Sequence, residues 1–164
     1  MLKEHGIHHI LDFNEHRFLQ SLKQFTNNGR TWVRTIAGEK FIRPEVALIK
    51  TLINESASSV LLEDVAGGGK TCILLDLVEE LEQQSDCATP FIRGDHYSSI
   101  TSIADLKNHG LPADLIPQCA HLAEKRKLVV IIDSLDVLAV GRSHLALQCF
   151  LRMADELSDI SILQ

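Results

Sequence analysis

Five aliphatic residues in a row, Leu128-Val129-Val130-Ile131-Ile132, run directly into Asp133. A run this short and this rich in branched side chains reads as a β-strand buried on both faces, the condition of a strand inside a parallel sheet. Parallel neighbours cannot be joined by a tight turn. They need crossovers, usually helical and right-handed. The flanking sequence supplies the pieces. Val60-Leu61-Leu62 reads as a first short strand, and Leu74, Leu77, Val78 and Leu81 then repeat at helical spacing. Pro90-Phe91-Ile92 suggests another strand, and residues 105–126 a helix interrupted at 110–112. Residues 143–157 read as a helix with Leu147, Phe150, Leu151 and Ala154 inward, and residues 160–163 as the start of one more strand. The expected fold is therefore α/β, a parallel sheet sandwiched by helices over residues 41–164. Residues 1–40 are expected to form a helical N-terminal extension, with a Phe18, Leu19, Leu22, Phe25 stripe and an extended piece at 31–36. Pro44 suits the first turn of a helix carrying Val46, Ile49, Leu52 and Ile53.

Composition narrows the class. At 164 residues with 45% hydrophobic and 23% charged side chains, the chain has the make-up of one globular domain. A net charge of −6 argues against a general nucleic-acid coat. The first sixteen residues are too interrupted by charge and histidine for a signal peptide, and no apolar run approaches the roughly 18 residues of a membrane span. A cytoplasmic location is the expectation. Cys72, Cys87, Cys119 and Cys149 are too scattered for a zinc set or a disulfide framework, so buried or incidental thiols are expected.

The chemistry-bearing stretch is Asp64-Val65-Ala66-Gly67-Gly68-Gly69-Lys70-Thr71-Cys72. A strand running through glycines into a helix turns backbone N–H groups toward one spot, and the helix dipole adds partial positive charge. Glycine permits the positive φ angles of such a nest. Lys70 adds a full charge for outer phosphates, and the Thr71 hydroxyl is placed to ligate Mg²⁺. The alternative is a plain glycine turn. Asp133, at the end of the aliphatic strand, is suited to hold the same Mg²⁺ or simply to cap the next turn. Asp136 is suited to position an attacking water, or to lie in solvent at a helix start.

The segments DVAGGGKT and VVIIDSLD resemble the Walker A and Walker B segments of P-loop NTPases, and the Asp-Ser-Leu-Asp ending is similar to the STAND branch, including NACHT-type ATPases near the AAA+ proteins. The resemblance covers residues 40–164. It implies ATP as ligand with Mg²⁺, phosphates held by Lys70 and by residues 66–69, 71 and 72, and Mg²⁺ held by Thr71 and Asp133. It also implies catalytic roles for Lys70 and Asp136. FIRPEVALIKTLI is similar to the segment preceding the phosphate loop in that branch, which would put Phe41, Ile42 and Arg43 near adenine. Asp64 stands where the loop pattern has glycine, and Val137 where many relatives have Glu. The implied sheet has its first strand between the fourth and the fifth. The chain stops near the start of the fourth, so a fragment, or a protein completing its sheet with a protein partner or with itself, is expected.

The remaining conspicuous residues read more plainly. Arg142 and Arg152 read as solvated helix residues, Glu79 to Glu82 as an exposed acidic face, and His5, His8 and His9 as exposed histidines. Trp32 is expected to pack the N-terminal segment onto the sheet. Arg93-Gly94-Asp95 spells an adhesion tripeptide and reads as coincidence at a strand-to-loop junction. Three functions stand open: a slow ATPase or nucleotide switch, a scaffold that keeps the fold without turnover, and a phosphotransferase, which would need an arginine-rich lid that the sequence lacks.

Overall fold

The computed structural model of the chain describes residues 14–30, 35–36, 39–55, 59–140 and 144–162. The readings on His5, His8, His9, Trp32 and Arg142 fall outside those residues.

Helix α1 (Glu15–Gly29) opens on Asn14, whose Oδ1 accepts the Arg17 amide at 3.0 Å and so satisfies one of the first-turn donors. Residues 35–36 (β1) and 39–40 (β2) pair antiparallel. Pro44 begins α2 (Pro44–Asn54), where its missing N–H costs nothing. Helix α3 (Lys70–Glu82) follows the glycines. The chain then runs through β3 (Cys87–Ala88) and β4 (Phe91–Arg93), two 3₁₀ segments (Gly94–Tyr97 and Ile103–His109), and α4 (Leu115–Ala123). It ends with β5 (Lys127–Leu128), β6 (Ile131–Asp133), α5 (Leu135–Val140) and α6 (His144–Ile162).

β3 pairs with β5 and β4 with β6, both parallel. These two short pairs form a single ladder. The amides of Lys127, Val129 and Ile131 donate to the carbonyls of Asp86, Ala88 and Pro90 at 3.0, 2.9 and 2.9 Å. A parallel ladder asks the amide of residue 90 to donate back, and proline has none, so the regular pattern breaks there without the strands separating.

Side chains alternate across this ladder into two cores. Phe91 and Ile131 face Val46 and Ile49 of α2 and Ile73, Leu77, Val78 and Leu81 of α3. Ile92, with Leu128, Val130 and Ile132 packed alongside, faces α1, α4 and α6. The α1 side chains Phe18, Leu22 and Phe25 belong to this second core, so the helix at the N-terminal end is integral to the packing. It also caps the outer edge of β4: Thr26 Oγ1 accepts the Phe91 amide at 3.1 Å, and a Cβ at Gly29 would come within 3.0 Å of the Phe91 ring. No helix among the described residues is long and apolar enough to cross a membrane.

Four local expectations need correction. Residues 60–63 form no strand, and Val60 and Leu61 are exposed. A strand there needs a neighbour offering a ladder, and the expected one does not form, because α6 continues through Ile162 where a strand was expected. A helix satisfies its own backbone groups, whereas an isolated strand satisfies none. The inward stripe of α6 is Ala146, Phe150 and Met153, while Leu151 is half exposed at 49%. The helix expected over residues 105–126 is instead a 3₁₀ segment ended by Gly110 (φ 95°), then α4. The acidic face of α3 is partly paired, Glu80 with Lys50 at 2.6 Å and Glu82 with Arg30. All four cysteines are free thiols, and burial pushes Cys119 up to about 12.

Candidate functional site

The loop from Asp64 to Gly69 is built by backbone geometry. Asp64 Oδ1 accepts the Val65 amide at 2.7 Å, and the Gly68 amide donates to the Val65 carbonyl at 3.1 Å. Gly67 and Gly69 have φ of 82° and 87°, the left-handed region where a side chain is strained. Gly69 is the N-cap of α3, and its carbonyl accepts the first helical bond, from Ile73 at 3.0 Å. The amides of Lys70, Thr71 and Cys72 then have no partner inside the helix. The loop and these amides lie at the positive end of a thirteen-residue helix.

Lys70 lies back over this turn. Its Nζ donates to the carbonyls of Asp64 at 2.8 Å and Val65 at 3.2 Å, and stands 3.7 Å from Asp136 Oδ2. Thr71 Oγ1 donates to Asp133 Oδ2 at 2.8 Å, joining two residues 62 apart in sequence. Asp133 closes β6 and is 5% exposed. That hydroxyl is the one hydrogen-bond donor its side chain receives among the described residues. Ser134 turns sharply after it with φ 63°, leading into α5, whose first turn carries Asp136. Gly94 packs from the side: a Cβ there would sit 3.2 Å from the Asp133 carbonyl oxygen.

Residues 64–72, Asp133 and Asp136 thus come together. Arg43 does not join them. Its Nη1 donates to Asp76 Oδ2 at 2.7 Å and to the Phe41 carbonyl at 3.2 Å. Asp76 lies six residues past Lys70, about 9 Å along the helix. Phe41, Ile42, Arg43, Val46, Asp76 and Glu80 line an open cleft of about 200 Å³ on that flank. Ile42 is almost fully exposed. No group of three or more His, Cys, Asp or Glu among the described residues is placed to hold a metal.

Sequence reasoning named Arg93 and Asp95 only as a chance tripeptide. Arg93 is the register partner of Asp133 in the β4–β6 pair, and its guanidinium grips Asp95, Nε to Oδ1 at 3.2 Å and Nη2 to Oδ2 at 2.6 Å. The one available signal was position: an arginine ending a strand beside the strand that ends in Asp133. The register linking the two is not written in either segment.

Compared with protein families, curated proteins and solved structures, the chain matches none.

Proposed function

We propose that this protein binds ATP with Mg²⁺ in the turn formed by residues 64–72, as a P-loop domain of the STAND or NACHT type, and acts as a slow ATPase or a nucleotide-controlled switch. The observation that carries this reading is the 2.8 Å contact between Thr71 and Asp133. A hydroxyl at the mouth of a glycine turn and a carboxylate at the end of a strand are oxygen ligands of the kind Mg²⁺ takes. Mg²⁺ commonly binds through one or two protein oxygens plus phosphates and waters, so no larger cluster of acids is required.

The residues present fit the group. A Cβ added at Gly67 or Gly69 would meet nothing within 4 Å, so the turn has room beside it. The amides of Ala66, Gly67, Gly68 and Gly69, and of Lys70 to Cys72 on the first turn of α3, supply donors for phosphate oxygens. Lys70 supplies the matching charge, exchanging neutral carbonyls for an anion. Asp136, 59% exposed and beside Lys70, is the group in reach to orient a water. Bound Mg²⁺ supplies charge neutralisation at the outer phosphates. Arg43 belongs to the neighbouring cleft, where Phe41 offers an apolar face for a base. The same reading puts the protein in the cytosol, in keeping with four free thiols. It also gives the protein a partner, or a second copy, at the side of β6 that carries no strand among the described residues.

A second reading, a scaffold without turnover, is favoured by Asp64. Its Oδ2 lies 1.9 Å from where a Gly68 Cβ would be, so its carboxylate leans over the turn a phosphate would enter. Titration calorimetry of MgATP into wild type and Lys70→Ala, followed by phosphate release, separates the readings. Binding lost in Lys70→Ala, with release that depends on Asp136, supports the ATPase. Binding without release supports the switch or scaffold. Equal binding by both proteins removes Lys70 and with it the proposed site.

A further inference from the structure

The tripeptide Arg93-Gly94-Asp95 has no part in the site described so far, yet it packs against it. Successive residues of a strand face opposite sides. Phe91 and Ile131 are buried on the α3 side and Ile92 on the other, so Arg93 and Asp133, the next register pair, return to the α3 side. Their backbones are one strand spacing apart, about 5 Å. Both side chains are largely buried, Arg93 at 11% and the residue Asp133 at 5% exposure. Gly94 holds the following turn against the Asp133 carbonyl, where a larger residue would have to push it away. The result is an arginine in register with the aspartate that touches Thr71, at the carboxyl end of parallel strands where ligands of such sheets bind.

A buried arginine is costly unless paired, and Asp95 supplies the pair through a two-point fork. That fork has the same spacing a guanidinium uses to grip a phosphate. Asp95, on a short 3₁₀ turn and 23% exposed, is the more accessible member and the easier one to exchange.

Resting on the ATP-binding reading, we propose that Arg93 contacts the outermost phosphate of the nucleotide and that Asp95 holds it in reserve when no triphosphate is bound. Arg93 then makes the site discriminate triphosphate from diphosphate. Lys70 and the glycine turn serve both nucleotides, while Arg93 serves the third phosphate alone. Exchange of the guanidinium from Asp95 to the ligand frees the 94–97 turn, which packs on α5 and α6, and so couples the bound nucleotide to the surface of the domain.

The test is calorimetric affinity for MgATP and MgADP on wild type, Lys70→Ala, Arg93→Ala, Arg93→Lys and Asp95→Asn, with thermal unfolding of each. Arg93→Ala is expected to weaken MgATP about 10-fold and MgADP less than about 2-fold, the loss of one charge-assisted phosphate contact. Arg93→Lys should recover part of the ratio. Asp95→Asn, which keeps the cation and weakens its tether, should tighten MgATP and leave MgADP unchanged. This last variant decides the matter even if Arg93→Ala fails to fold. Equal weakening of both nucleotides by Arg93→Ala, or an unchanged MgATP to MgADP ratio in Asp95→Asn, overturns the role of Arg93 while leaving the site intact. Equal MgATP binding by wild type and Lys70→Ala overturns the site itself.

Discussion

Single residues decide whether the glycine turn can hold an anion. Gly69 has φ 87° at the start of α3, so Gly69→Ala forces a side chain into left-handed backbone at about 1–2 kcal/mol. It should lower the unfolding midpoint and weaken MgATP binding together, read by thermal melts and calorimetry. Gly68 is a different case. Its space is filled by the flexible end of Asp64, so Gly68→Ala should displace that carboxylate at little cost to folding. Asp64→Asn tests the same carboxylate directly. Removing its negative charge from the mouth of the turn should tighten ATP about 3- to 10-fold if each nearby like charge costs about 1 kcal/mol. An unchanged affinity in Asp64→Asn would show that the carboxylate stands clear of the phosphates. The glycine triplet and Lys70 were legible as a candidate turn because the physics of positive φ and exposed amides is local. The backward tilt of Lys70 onto the Asp64 and Val65 carbonyls was not, since it depends on how the loop folds over itself.

Among the elements, helices were more legible than strands. Apolar spacing placed α2, α3 and the body of α1 and α6, because a helix is closed by its own hydrogen bonds. Strands depend on neighbours. Val60-Leu61-Leu62 has strand composition and no partner to pair with, and residues 160–162 prolong a helix because nothing opposes them with a ladder. The aliphatic quintet pairs in parallel, yet of its five residues only Ile131 is buried, and its ladder is interrupted at Pro90, which no reading of residues 128–132 alone could show. Capping gives an element-scale prediction. Ser102 and Asp105 form a capping box on the 3₁₀ segment Ile103–His109. Hydrogen bonds from Thr101 first, and then Ser102, hold the Asp105 carboxyl below its ordinary 3.8. A carboxyl lowered in the folded state stabilises above its unfolded value and loses that contribution as pH falls through the folded one. Asp105→Ala should therefore lower the melting temperature at pH 7, and the gap from wild type should close as the pH is taken below 3.8. A gap unchanged with pH would mean that the carboxylate charge has no part in the cap.

At the scale of the whole molecule, two cores clamp one parallel ladder, and the site sits where that ladder ends. Phe150, on α6, is 1% exposed in the core shared with α1 and α4. Phe150→Ala should cost about 3–5 kcal/mol, measured by chemical denaturation, because the cavity is too far from the surface to collapse fully. Little in the sequence revealed that α1 would close the β4 edge through Thr26 and Gly29, since the contact spans 65 residues. That closure leaves the far side of β6 as the side without a strand among the described residues, and sedimentation at rising concentration would show whether copies meet there. The central claim is that residues distant in sequence grip one Mg²⁺-nucleotide from two sides. Its most direct test is the Mg²⁺ dependence of ATP affinity in wild type and in Asp133→Asn. The account predicts that Mg²⁺ tightens ATP about 10-fold or more in wild type and has almost no effect in the variant. An equal Mg²⁺ response in both proteins, or no ATP binding by the wild type, would contradict it.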